Sequence, residues 1–259
     1  MCRLYGIHAQ SPGSPSYLVD SERSFARLSE VHKDGWGMAY YLDQEVHLHR
    51  DLSPAGQDPR FLELGRDLKT QTLIAHLRLA TIGENRLDNN HPFQYQGWSF
   101  AHNGNIKHFP RYRQLILSQI NPFFQAEIQG DTDSELVFYF LLSELERWGL
   151  VSNQYRHSVG QLGQTVKWGL ENLLALIGPF LAETGAPTET YMSFLLTNGQ
   201  VLLAHQGGQP LFYKHHPVNA EELENIIFCS EPIGEPENWH EMKTGELIAV
   251  DKTLASYTV

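Results

Sequence analysis

The sequence predicts an α+β fold, and three observations carry the prediction. Strand-like segments stand at both ends of the chain, over residues 2–8 and from residue 191 onward. Two long stretches with helical apolar spacing lie between them, and Asn198-Gly199 between apolar runs is a strong antiparallel hairpin signal. Strands gathered at the termini around a helical middle favour separate layers of helix and antiparallel sheet over an alternating parallel fold.

Residues 2–8 read as a strand that runs into Ser11-Pro12-Gly13-Ser14-Pro15, whose composition predicts a loop. Residues 17–28 predict a short amphipathic helix with Leu18, Phe25 and Leu28 inward. Asp34-Gly35-Trp36-Gly37 predicts a turn feeding a hairpin of residues 38–42 and 45–50. Asp58-Pro59 is a cap followed by a first-turn proline, starting a helix that ends near Lys69. Residues 71–79 read as a buried strand in which His76 and Arg78, two apart, share one face. Turn-formers fill residues 83–92, and a strand follows at 97–102.

Thr132-Asp133-Ser134-Glu135 has capping-box spacing and opens a helix over 136–148, closed by Gly149. That helix is apolar nearly all round and belongs in an interior layer. A second long helix begins at Val159, with Leu162, Val166, Leu170, Leu173 and Ile177 in register, and is expected to reach about Leu181. Strands are predicted at 191–197, 200–205, 211–215, 226–230, 246–251 and 255–257. With no internal repeat or low-complexity tract, residues 1–259 are expected to form one domain.

Composition narrows the classes of function. The 19 Lys+Arg are outnumbered by 30 Asp+Glu, a formal charge of -11, which argues against nucleic acid or an anionic membrane surface as a partner. Two cysteines, Cys2 and Cys229, do not make a disulfide framework, and no secretory signal or membrane span is readable, so a reduced, cytoplasmic protein is expected. His47-Leu48-His49 puts two imidazoles on one strand face without a third ligand at zinc spacing; no metal or cofactor is predicted. Cys229 reads as a core thiol.

Cys2 carries the chemistry. Removal of Met1 leaves a thiol and a free α-amine on one residue. An α-amine with a pKa of roughly 8 is partly neutral near pH 7 and can act as general base for its own side chain, where a lysine at about 10.4 could not. Four motifs follow in order: Asp34-Gly35-Trp36-Gly37; His76-Leu77-Arg78-Leu79-Ala80-Thr81; Asn90-His91-Pro92-Phe93 running on to Phe100-Ala101-His102-Asn103-Gly104; and Gly130-Asp131-Thr132-Asp133-Ser134-Glu135. Together with Cys2 they resemble the class II glutamine amidotransferase domain, a family of N-terminal-nucleophile hydrolases. Ser230-Glu231-Pro232, Trp239 and Gly245-Glu246-Leu247 extend the resemblance more loosely.

The resemblance implies a four-layer αββα sandwich, two antiparallel sheets face to face between helical layers. It implies a catalytic group of Cys2 as nucleophile, with the Asn103 side chain and the Gly104 N–H as oxyanion donors. Arg78 is assigned to the substrate α-carboxylate and Asp131 to the α-ammonium, while the backbone around Thr81 and His91 completes the pocket. The bare residues leave alternatives open: His76 bonded within its sheet, Asn103-Gly104 as a tight turn, Asp131 as a helix N-terminal charge, Arg78 as a buried ion-pair member.

Since no synthase segment follows Val259, the expected activity is hydrolysis of a γ-glutamyl amide, of glutamine or another γ-glutamyl compound, releasing glutamate and ammonia or an amine. The Met1-Cys2-Arg3-Leu4 opening resembles the small stand-alone branch of the family, which includes the γ-glutamyl amidase of ergothioneine biosynthesis and a glutathione-degrading component. Alternatives are a glutaminase subunit feeding ammonia to a separate synthase, and a non-catalytic module that binds glutamine or a γ-glutamyl compound.

Overall fold

The computed structural model describes residues 2–79, 84–152, 157–181, 188–216 and 224–259. Among them two antiparallel sheets are formed. The seven-stranded sheet runs in the order β11 (His240–Glu241), β9 (Phe212–His216), β10 (Asn225–Cys229), β1 (Arg3–Gly13), β4 (Thr70–Leu77), β2 (Trp36–Leu42) and β3 (Glu45–Asp51). The six-stranded sheet runs β13 (Ser256–Thr258), β12 (Leu247–Asp251), β8 (Val201–His205), β7 (Tyr191–Thr197), β6 (Trp98–Asn105) and β5 (Phe93–Tyr95). Helices are α1 (Pro59–Asp67), α2 (Phe109–Gln119), α3 (Pro122–Gln125), α4 (Asp133–Arg147) and α5 (Val159–Ile177).

Strand periodicity explains the layering. Side chains alternate between faces, so Leu4 of β1, Ala39 of β2 and Ile74 of β4 pack inward against Ala101, Leu195, Leu202, Ile248 and Val250 of the facing sheet. Tyr5, Met38 and Leu73, one residue over, point outward to Leu18, Phe25, Phe61 and Leu64 under α1 and two short 3-10 turns. On the other side Phe100, Phe194, Leu196 and Leu203 meet Ile116 of α2, Leu141 of α4 and Leu170 of α5. The result is helix, sheet, sheet, helix, the expected αββα sandwich. Buried residues run unbroken from Asp133 to Leu145, because α4 is wedged against β6, α2, α3 and α5.

Four local expectations are corrected. The Ser11-Pro12-Gly13 segment is the end of β1, reached through a register shift after His8 that absorbs the proline. Residues 17–28 form no continuous helix: 3-10 turns at Ser16–Leu18 and Phe25–Glu30 are separated by the polar run Asp20 to Arg23, which offers nothing to bury. Leu18 and Phe25 are nevertheless fully buried. Helix α2 has no counterpart in the sequence reading. Glu135 does not bond back to Thr132; its carboxylate accepts from the Gln129 and Gly130 N–H groups while the Thr132 hydroxyl accepts from Glu135 N–H. Gly149, at φ +65°, closes α4 as expected, and α5 ends at Ile177 rather than near Leu181.

Candidate active site

Cys2 stands just before β1. The β1–β4 ladder pairs Arg3 with Leu77, so one step further Cys2 faces Arg78, and strand alternation puts its side chain on the inter-sheet face with Leu4. The Leu79 N–H donates to Cys2 Sγ at 3.4 Å, and the thiol lies 3.5 Å from the Leu79 carbonyl. Burial pushes the thiol pKa up; the Leu79 contact and the nearby Arg78 and Arg3 guanidiniums pull it down, without cancelling that rise.

Arg78 continues β4 on the same face as His76. Its backbone is fixed by Gly35: Arg78 N–H donates to the Gly35 carbonyl at 2.8 Å, and Asp34 N–H donates to the Arg78 carbonyl at 3.1 Å. The guanidinium donates to the Glu84 carbonyl at 3.0 Å and to Asn85 Oδ1 at 3.4 Å. It is only 3% exposed. Burial lowers its pKa, opposed by Cys2, Asp34 and Asp131, so this one cation lies within electrostatic reach of both the thiol and the Asp131 carboxylate. Asp131 is exposed, just ahead of the Thr132 cap of α4, and its N–H donates to Asn89 Oδ1 at 3.1 Å. Thr81 lies outside the described residues.

Asn103 and Gly104 belong to β6, in register with Ser193 and Met192 of β7, which removes the tight-turn alternative. Asn103 shares the inter-sheet face with Ala101; it is 2% exposed, and its amide oxygen has no partner among the described residues. A Cβ at position 104 would sit 2.2 Å from the Tyr191 carbonyl oxygen, so only glycine fits there. Its neighbour His102 faces the helices. One His102 ring nitrogen, Nδ1, pairs with Ser134 Oγ at 2.9 Å and the other, Nε2, with the Tyr191 carbonyl at 3.1 Å. Ser134 Oγ in turn contacts Asp133 Oδ1, and Asp133 Oδ2 accepts from Ile106 N–H at 2.6 Å. Burial raises the Asp133 pKa to about 6 despite those bonds. This network ties β6 to the first turn of α4, and so ties Asn103 to the segment that carries Asp131.

The His91 and His76 rings lie 4.2 Å apart between centroids, tilted by 36° to one another. Both are buried, and none of their four ring nitrogens makes a hydrogen bond of normal geometry among the described residues, although the His102 carbonyl lies close enough to His76 to favour its charged form. The expected in-sheet side-chain bond of His76 is therefore absent; its pKa is lowered to about 3, chiefly by burial and then by Arg78. The motif around Gly37 explains how His91 is held. A Cβ at Gly37 would lie 1.9 Å from the His91 carbonyl oxygen, while Asn90 Nδ2 donates to the Trp36 and Asp51 carbonyls, each at 2.9 Å. Arg50 donates to the Asn90 carbonyl at 3.0 Å. Asp34-Gly35-Trp36-Gly37 thus braces both Arg78 and His91, a role its sequence did not disclose.

Sequence reasoning also assigned no role to Ser230-Glu231. Glu231 forms a short ion pair with Arg3, whose Nη1 donates to the Cys2 carbonyl at 3.1 Å. The signal was the motif itself, but the contact joins residues 228 apart. Elsewhere, His47 and His49 stack on either side of Tyr40, at 5.2 and 5.8 Å. Cys229 is a fully buried free thiol whose pKa burial pushes to about 12. Among the described residues no group of three or more His, Cys, Asp or Glu could hold a metal ion, and no helix is long and apolar enough to cross a membrane.

Comparison with known proteins bears on the family and the fold. A Haemophilus influenzae protein whose name assigns it provisionally to the glutamine amidotransferases is 29% identical over 210 residues, covering 79% of this chain and 63% of that protein. The chain thus spans less than two thirds of that relative's length. Glutamine–fructose-6-phosphate aminotransferase of Chlamydia pneumoniae is 30% identical over 139 residues, 53% of this chain and 21% of that enzyme. The solved glutamine aminotransferase class-II domain protein of Silicibacter pomeroyi superposes with a TM-score of 0.66 at 21% identity, covering 100% of this chain and 98% of that one, which supports the fold. Residues 1–226 match the family described as glutamine amidotransferases class-II, and the chain belongs to that family.

Proposed function

We propose that this protein hydrolyses the γ-amide of glutamine or of another γ-glutamyl compound through a thioester on Cys2, once Met1 has been removed. The α-amine of Cys2 takes the thiol proton as sulfur attacks the γ-carbonyl. The oxyanion that forms is met by the Asn103 side-chain N–H and the Gly104 backbone N–H. Collapse breaks the C–N bond, and the α-ammonium returns its proton to the departing ammonia or amine. Water, deprotonated by the same amine, then cleaves the thioester, releasing glutamate and restoring the thiol.

Arg78 pairs with the substrate α-carboxylate and Asp131 with its α-ammonium, and the resemblance adds Thr81 and His91 as contacts to the same glutamyl end. The observation that carries this reading is the register of β1 and β4, which sets Cys2 opposite the buried Arg78 with the Leu79 N–H on its sulfur. A zwitterionic glutamyl end bound between Arg78 and Asp131 brings its γ-carbonyl toward sulfur. The buried Asn103 amide oxygen, which has no partner among the described residues, supports a polar ligand at this position, because a buried polar group without a protein partner is unusual unless a ligand uses it. The reading places the reaction in the cytoplasm, where a free thiol stays reduced.

A second reading follows from the similarity to part of a fructose-6-phosphate aminotransferase: the ammonia is delivered to a separate synthase rather than released. Both readings share the thioester. The test is the intact mass of the purified protein before and after 6-diazo-5-oxo-norleucine, alongside glutamate release from glutamine and a panel of γ-glutamyl amides. Loss of Met1, one adduct at Cys2, and no turnover by a folded Cys2→Ala variant are expected. Undiminished turnover by Cys2→Ala would remove Cys2 from the mechanism.

A further inference from the structure

An N-terminal nucleophile is attached to its protein by a single peptide bond. Its sulfur and its amine must both face one substrate carbonyl, so the torsions on either side of its Cα have to be fixed by something other than the chain before it. Leu79 grips the sulfur from the end of β4. The other hold is made by Arg3 together with the segment just past β10 (Asn225–Cys229). The ladder between β1 and β10 ends with Tyr5 opposite Cys229, but the pairing continues past it through backbone and side chains. Leu4 N–H donates to Ser230 Oγ at 2.9 Å, Ser230 N–H donates to the Leu4 carbonyl at 3.0 Å, and Arg3 pairs with Glu231. Arg3 uses Nε for Glu231 and Nη1 for the Cys2 carbonyl.

We propose that Arg3 and Glu231 are a positioning pair for the nucleophile: Glu231 sets the plane of the Arg3 guanidinium, and that guanidinium fixes the Cys2 carbonyl and with it the direction of sulfur and amine. The proposal rests on Cys2 being the nucleophile. The pair is partly exposed, 27% and 40%, and exposed ion pairs contribute little to stability. Its use is therefore geometric. Cys2 is thus held at two atoms, the sulfur by Leu79 just past β4 and the carbonyl by Arg3, whose guanidinium pairs with Glu231 just past β10, so that a residue outside the matched residues 1–226 completes the site.

The experiment compares Arg3→Ala, Glu231→Ala, the double variant and the milder Glu231→Gln with the parent. It measures kcat and KM for γ-glutamyl hydrolysis, the rate of labelling by 6-diazo-5-oxo-norleucine, melting temperature, and the intact mass that reports Met1 removal. In the fraction lacking Met1, Glu231→Ala is expected to lose about 10- to 100-fold in kcat and in labelling rate, with KM within about twofold, since misorienting a reacting group costs rate rather than binding. Glu231→Gln, which still accepts from Arg3 Nε, should keep most of the rate. The double variant should lose no more than the worse single one, because the two residues act as a unit.

Additive losses, a loss confined to KM, or a folded Glu231→Ala variant within twofold of the parent would overturn the pair. If Glu231→Ala does not fold, the same comparison rests on Glu231→Gln with the Arg3→Ala background: a rate drop from Glu231→Gln that persists without Arg3 overturns it equally. Failure of the nucleophile assignment shows separately, as a parent protein that neither labels at Cys2 nor turns over.

Discussion

His102 and Asn103 are neighbours on one strand and almost equally buried, 1% and 2% exposed, yet their polar atoms fare differently. His102 faces the helices, and both its ring nitrogens have partners in Ser134 and Tyr191. Asn103 faces the other sheet, and its amide oxygen has none among the described residues; the ring nitrogens of His76 and His91 are in the same condition. Burying a polar group without a hydrogen bond is costly, so a fold built for stability alone pairs it or replaces it. Satisfaction of polar groups, rather than burial, separates the face of β6 that builds the fold from the face that serves a ligand.

The largest effect that can break this comparison is expected from Asn103→Ala. If the amide is an oxyanion donor, its loss lowers kcat by about 100- to 1000-fold, or roughly 3 to 4 kcal/mol of barrier. Its loss should not lower stability, because the buried amide oxygen gives up no protein bond. Steady-state kinetics with a thermal melt checks both halves. A variant with parental kcat and a depressed melting temperature would return Asn103 to the structural side.

The same contrast explains what could be read from the sequence. Cys2, Arg78, Asn103 and Asp131 could be nominated from the sequence because each sits at the chain start or in a short motif, and those motifs follow one another in the family's order. The outer strands and the two long helices were legible from periodicity, from the cap at Thr132 and from the Asn198-Gly199 hairpin signal. Helix α2 was not: it follows His108 in a left-handed conformation without a side-chain cap, and only Phe109 and Ile116 of its eleven residues are buried, too few for a readable stripe. The bracing of His91 by Gly37, and of Cys2 by Glu231, depends on the register of strands far apart in sequence. Such contacts leave a glycine or a glutamate in the chain but not the identity of its partner.

A smaller effect is expected on the satisfied face. His102→Ala leaves Ser134 Oγ and the Tyr191 carbonyl short of a partner and opens a cavity beside Phe100, 6.0 Å from the imidazole. That should cost roughly 2 to 3 kcal/mol of stability, measured by urea denaturation, while KM for the substrate stays near the parental value. Parental stability with lost turnover would place His102 in the site and erase the distinction between the two faces.

The smallest effect is a slope. Burial lowers the pKa of His102 to about 4, of His8 to about 4, and of His76 and His205 to about 3, and drives His91 down as well. Between about pH 6.5 and 4 the unfolded chain takes up protons that these folded imidazoles refuse, so stability falls as the pH falls through that window. Each such histidine contributes about 1.4 kcal/mol per pH unit there. Asp133 acts in the opposite sense: its raised pKa of about 6 means the folded chain holds a proton that the unfolded one has lost, and stability rises as pH falls from about 6 toward the ordinary aspartate range. His102→Gln should therefore flatten the acid limb of a denaturation-versus-pH curve by about 1.4 kcal/mol per unit. His76→Gln should do the same, because burial and not hydrogen bonding sets both shifts. If only His76→Gln flattens the curve, the bond from His102 to the Tyr191 carbonyl outweighs its burial, and partners on the helix-facing side of β6 hold charge as well as shape.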